Sequence, residues 1–190
     1  MVPRAGARGG VAVLAFAACV GFVVPAAAVE RENHVGVDLG ASMLVVSDKS
    51  SPDVGPALGA HWTYGLSDAF DLMVEGSWSL LALHENVTSK STPRDRPGWG
   101  ANANVGVAYV FDVLSWVPYA GLLLGGYTFG GGTLDGSRLL VGFDVALGVD
   151  YRFTRSLCAG VSARQHMLSD VPEYPSYTQL FARLEYTWGW

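Results

Sequence analysis

The sequence predicts an all-β chain: an eight-stranded antiparallel up-and-down transmembrane β-barrel behind a cleaved N-terminal signal peptide. Three observations predict it. After residue 33 apolar residues recur at almost every second position, the period of a strand. The connections alternate between short and long. Hydrophobic residues make up 50% of the chain and charged residues only 15%, against about 25% charged in an average protein. Beyond the first thirty residues no stretch is massed as a membrane helix would be.

The first segment stands apart. "MVPRAGARGG" supplies two arginines and no acid, "VAVLAFAACVGFVVP" an apolar run, and Ala26–Ala28 the small residues of a cleavage site. Residues 1–28 therefore read as a signal peptide and 29–190 as one domain. Cleavage would remove Arg4 and Arg8 and no acid, leaving ten basic against 17 acidic residues. That balance disfavours nucleic-acid binding. Cys19 leaves with the signal and Cys158 remains alone, so no internal disulfide can form.

Eight alternating segments follow, at about 34–46, 57–65, 70–83, 99–111, 117–129, 139–153, 157–168 and 177–190. The sixth is the clearest. Leu139, Val141, Phe143, Val145, Leu147, Val149, Tyr151 and Phe153 share one face, while Gly142, Asp144, Ala146, Gly148, Asp150 and Arg152 lie on the other. Pro56 is expected to shorten the second strand, and three consecutive leucines blur the fifth. The connections near 66–69, 112–116 and 154–156 are tight; those at 47–56, 84–98, 130–138 and 169–176 are longer and rich in Ser, Gly, Pro and charge. Short turns on one rim and long loops on the other is the layout of an outer-membrane barrel, with both termini on the periplasmic, short-turn rim.

A soluble barrel also alternates, with its apolar face inward. The polar faces decide. They are mostly small (Gly36, Gly40, Ser42, Ser77, Ser79, Gly106, Gly142, Gly148, Gly160 and Ser162) and suit the crowded interior of eight strands. The only lysines, Lys49 and Lys90, fall in loops. Aromatics gather where apolar faces meet the rims: Tyr64, Phe70, Tyr109, Phe111, Tyr119, Tyr151, Phe153, Tyr186, Trp188 and Trp190 at the periplasmic end, Trp78, Trp99, Tyr127 and Phe129 at the other. The strands are long enough to cross a bilayer at a tilt, and closure would satisfy every backbone hydrogen bond.

The chain ends "LFARLEYTWGW", with Leu184, Tyr186, Trp188 and Trp190 alternating up to an aromatic last residue. This resembles the terminal signal of bacterial outer-membrane barrels, with Trp in place of the commoner Phe. Over 34–190 the chain resembles the small OmpA-like eight-stranded barrels, the opacity-type or outer membrane protein β-barrel domain family. The resemblance implies a home in the outer membrane of a Gram-negative bacterium. It implies recognition of the last strand by the barrel-assembly machinery, and contact with outer-membrane lipids and lipopolysaccharide. No peptidoglycan-binding segment is seen after the barrel, so no cell-wall tether is expected. The chain is expected to be a monomer without cofactor or metal.

Charges break the polar faces at similar depth. Asp38, His61, Glu75, Asp144, Arg164, His166, Arg183 and Glu185 point inward and are expected to form one mid-barrel network, with the two arginines bridging the carboxylates. Such a network fills and orders a barrel; an alternative is a narrow ion path. Another is a lipid A-modifying, deacylase-like enzyme. One deacylase family carries Arg-x-x-His-x-Ser near the outer end of its penultimate strand; here Arg164, His166 and Ser169 are differently spaced, with Glu173 nearby. His166 should point inward and Ser169 elsewhere, so the two should not meet. The reading is a non-enzymatic barrel with a structural or surface-interaction role. Lys90, Arg94 and Arg96 are its loop candidates for contact with anionic lipopolysaccharide. A secreted soluble barrel for an apolar ligand is the remaining alternative.

Overall fold

The computed structural model describes residues 31–45, 52–81, 96–111, 115–169 and 176–189. Residues 1–28, Lys90, Arg94, Glu173 and Trp190 lie outside the described residues. Eight strands form one closed antiparallel barrel in chain order: β1 Asn33–Val45, β2 Asp53–Gly65, β3 Phe70–Leu80, β4 Trp99–Val110, β5 Trp116–Gly130, β6 Arg138–Arg152, β7 Leu157–Leu168 and β8 Ser176–Trp188.

The last strand pairs with the first, from Asn33 opposite Trp188 to Val45 opposite Ser176. A ladder leaving β1 at His34 passes Thr63, Met73, Gly106, Leu123, Asp144, His166 and Tyr177 and returns to β1 at Leu44, a stagger of ten residues. At about 3.3 Å per residue against about 4.8 Å per strand, this inclines the strands by roughly 40°. Inclined so, the rim ends of neighbouring strands level out, and the outward aromatics of the short-turn end fall into one belt.

The exterior is apolar. Leu39, Leu122, Leu124, Val141, Val161 and Leu180 each expose more than half their surface, while Asp38, Glu75, Asp144, Arg164, His166 and Arg183 are buried inside. Lipid outside and charge within is the one solvent arrangement that suits this distribution. The belt at the short-turn rim runs through Trp62 and Tyr64, then Phe70, Tyr109 and Phe111, then Trp116, Tyr151 and Phe153, and closes with Tyr186 and Trp188. Ring centroids in it lie 4.4–6.2 Å apart, partly edge to face.

Two expectations are corrected. Pro56 does not shorten β2, which begins at Asp53; beyond Ala57 its described ladder is with β1 alone, where Pro56 sits opposite Ala41. An edge position tolerates the missing N–H. The second correction is the face of β5. Tyr119, Tyr127 and Phe129 are buried in the lumen, not in the lipid belts. Register settles the face: Leu122 and Leu124 pair with the outward Val107 and Val105, so Leu123 and the aromatics two or more places away in phase with it turn inward. Glycines make the room. A Cβ at Gly148 would lie 2.4 Å from the Tyr119 ring, one at Gly142 3.1 Å from Tyr127, and one at Gly100 2.8 Å from Phe129.

Candidate functional site

The only dense chemistry among the described residues is inside the barrel. Strand alternation aims the side chains inward, and the tight bore forces them to satisfy one another. Arg164, buried on β7, ion-pairs with Glu75 of β3 and lies 3.7 Å from Asp38 of β1. Arg183 of β8 reaches Asp38 at 3.4 Å, Asp150 of β6 at 3.6 Å, and Glu185 on its own strand. The two guanidinium groups thus gather carboxylates from four strands, β1, β3, β6 and β8. Each also lies over an aromatic ring, Arg164 over Phe181 at 5.6 Å and Arg183 over Tyr119 at 4.8 Å.

His61 is held from both sides. Its Nδ1 is 2.9 Å from Asp38 Oδ2 and its Nε2 is 2.8 Å from Glu185 Oε1. Carboxylate oxygens accept, so a ring carrying both protons donates to each. In that form His61 is the third cation of the plug, facing the same carboxylates as the arginines.

A second, mostly neutral tier lies nearer the long-loop end. Asn104 Nδ2 donates to Asp144 Oδ2 at 2.8 Å and to Glu75 Oε1 at 3.3 Å, joining the tiers. His166 Nε2 lies 2.9 Å from Gln179 Oε1 and its Nδ1 3.1 Å from the Tyr127 hydroxyl. Gln179 Oε1 can only accept, which makes Nε2 the protonated nitrogen. Gln179 Nε2 donates to Ser77 and to the Tyr177 hydroxyl, which is 2.8 Å from Ser79 Oγ. Above this tier Leu44, Leu81, Tyr127, Phe129 and Tyr177 pack into an apolar cap with Leu134, Leu140 and Leu168. At the opposite end His34 lies 3.5 Å from both Glu32 and Glu185. There a cavity of about 40 Å³ is bounded in part by Asp71, Asp150, Arg152 and Arg183.

The eight inward charges read from the sequence are brought together here. Asp144 differs from the expected pairing: its described partners are Asn104 and His166, 3.5 Å away, rather than an arginine. Sequence reasoning missed Asp150 as a partner of Arg183, Gln179 as the partner of His166, and the His34–Glu32 pair at the mouth. Asp150 carried the same inward parity as Asp144, which was the available signal. Ser169 is not beside His166: it is exposed, and its N–H donates to Val141, whereas His166 is fully buried. Arg96 is tied to the rim. Its N–H donates to Thr133 Oγ1 at 2.7 Å, its carbonyl accepts from Thr133 N at 2.9 Å, and its guanidinium lies 3.9 Å from Asp53.

Solved structures share this architecture. Neisserial surface protein A is 17% identical, with 81% of this chain and 96% of that one covered and a TM-score of 0.60. The N-terminal β-barrel domain of OprF from Pseudomonas aeruginosa is 14% identical over 84% and 100% of the two chains, at 0.57. Ail, the attachment invasion locus protein of Yersinia pestis, is 12% identical over 84% and 99%, also at 0.57. At these identities the likeness is one of fold. No curated protein matches the chain in sequence. The family model described as outer membrane protein beta-barrel domain matches residues 14–187. With its lipid-facing wall and closed eight-stranded sheet, the chain belongs to the outer membrane protein β-barrel family and resides in the outer membrane of a Gram-negative bacterium.

Proposed function

We propose that this protein is a non-enzymatic, non-conducting outer-membrane barrel whose role is structural or surface-interactive. The observation that carries the reading is the stack inside the lumen: an ion-paired tier, a mostly neutral hydrogen-bonded tier, and a largely apolar cap above both. A hydrated ion crossing it would have to part Arg164 from Glu75 and then shed its water to enter the packed cap, and both steps are costly. The burial of His166 away from Ser169 speaks against a deacylase, because a lipid ester outside the wall could not reach the imidazole. Planar-bilayer recording of the purified barrel tests the reading, with no resolved conductance steps expected. Regular single-channel steps, or lipid A mass spectra altered on overexpression, would refute it.

Recognition then falls to the long loops. Lys90 and Arg94 are its proposed cationic contacts with lipopolysaccharide phosphates, with Arg96 holding the base of that loop to Thr133 and Asp53. Replacing Lys90 and Arg94 by Gln should weaken lipopolysaccharide binding and flatten its salt dependence. Binding isotherms that superimpose on those of the unaltered barrel would remove this contact.

A further inference from the structure

At the periplasmic mouth a charged pair reaches from one side of the barrel to another. Glu32, the residue just before β1, is buried there. Its backbone is fixed to β2: Arg31 N–H donates to the Gly65 carbonyl at 3.1 Å, and Gly65 N–H to that of Glu32 at 2.9 Å. Its carboxylate lies 3.5 Å from His34 Nε2 and 3.5 Å from an Arg152 guanidinium nitrogen. Arg152 stands on β6, three strands away around the closed sheet. Its ladder runs through Cys158 and Glu185 to Gly36. Over those three steps the stagger of the barrel lowers a level line by about four residues, which brings Arg152 level with Glu32. The pair therefore spans the mouth over the ends of β7 and β8. Just inside it lies Cys158, 2% exposed, on the wall of the 40 Å³ cavity. That space has room for about three waters.

His34 joins this pair to the plug. Its Nδ1 lies 3.2 Å from Thr187 Oγ1 and 3.5 Å from Glu185 of β8. A hydroxyl can accept from a protonated Nδ1 or donate to a bare one. The ring thus keeps a hydrogen bond in either protonation state, but only the doubly protonated ring attracts Glu32 and Glu185 together. The charges around it sharpen the difference. Asp71 of β3 and Asp150 of β6 stand with those two carboxylates, against Arg152 of β6 and Arg183 of β8. With the ring charged, three cations face four carboxylates; with it neutral, two do. Tyr119 of β5 and Cys158 of β7 are the remaining titratable groups on the cavity wall, and β2 and β4 present only Thr63, Ala108 and Val110.

We infer that His34 and Glu32 form a proton-linked latch on the periplasmic mouth, shut while the imidazole is charged and slack once it is neutral, which governs entry from the periplasm to the cavity and to Cys158. The latch is made on the acid side. It is lost as pH rises through the titration of His34, after which Arg152 alone holds Glu32.

The rate at which Cys158 reacts with 4,4′-dithiodipyridine in the detergent-released barrel tests the latch. Dividing it by the rate on the boiled, urea-denatured chain removes the pH dependence of the thiol itself, and Cys158→Ser supplies the blank. Between about pH 6 and about pH 10 this ratio is expected to rise about tenfold in the unaltered protein. His34→Gln has no proton to lose, so its ratio should be high throughout and its profile flat. Glu32→Gln, which removes the charge that the ring holds, should flatten the profile in the same way. His34→Lys stays charged over most of that range and should keep the ratio low. The shift in gel mobility between unheated and boiled samples checks that each variant is folded. If His34→Gln does not fold, the unaltered protein and His34→Lys still decide. A ratio independent of pH in the unaltered protein overturns the proposal. So does a step of undiminished size in His34→Gln or His34→Lys, which would place the titrating group elsewhere.

Discussion

Arg164 has given up nearly all of its water for Glu75, Asp38 and the face of Phe181. Removing one partner of such a pair strands the other charge, whereas removing both can be almost neutral. Arg164→Met is therefore expected to destabilise the barrel by about 3–5 kcal/mol in urea unfolding, and adding Glu75→Leu to recover most of that loss. A double variant as unstable as the single one would show that Glu75 is not the group left stranded. The charges of the plug were legible in the sequence because each interrupts an otherwise small or neutral inward face. Their partners were harder. Gln179 lies 13 residues from His166 and meets it only through the β7–β8 register, and Asp150 meets Arg183 over Gly160 of the intervening β7. Neither distance is written in local pattern.

Strand β5 shows where alternation stops being informative. Both of its faces are apolar: Ala120, Leu122 and Leu124 on one, Tyr119, Leu123, Tyr127 and Phe129 on the other. Hydrophobicity cannot tell lipid from lumen in such a strand, and only pairing with β4 decides. The inward rings are admitted because Gly100, Gly142 and Gly148 leave their side-chain volume empty. Tryptophan placed at Leu122 or Leu124 should be quenched by brominated acyl chains, while one at Leu123 should escape quenching or prevent folding. Strong quenching at Leu123 would mean that β5 faces the other way. Strand β8 has the opposite character. Its burial alternates without a break, and it pairs along β1 from Val45 to Asn33. We propose that this end is also what the assembly machinery reads. Tyr186→Ala with Trp188→Ala should then slow acquisition of the heat-sensitive gel form in cells by several-fold, while refolding into detergent in vitro changes less. Equal slowing in both settings would assign these residues to stability alone.

At the level of the whole molecule, the number, order and closure of the strands were legible, and the occupants of the bore only in part. Period two, tight turns alternating with long loops, and small polar faces each follow from closing eight strands in lipid, so each leaves a mark along the chain. Contacts made across the lumen or between loops leave none. The tie of Arg96 to Thr133 spans 37 residues and depends on two rim segments meeting. The aromatic belt is uneven: ten rings mark the short-turn rim, whereas among the described residues Trp78, Trp99 and Phe143 are the outward rings in the long-loop half. Rings of this kind fix the depth at which a wall sits in the headgroup zone. The barrel is thus moored at its inner border and free to ride at its outer one. Where the bilayer thickens by a few ångström, the rise is taken up at the outer surface, with Leu139 and Val141 submerged first and the inner waterline unmoved.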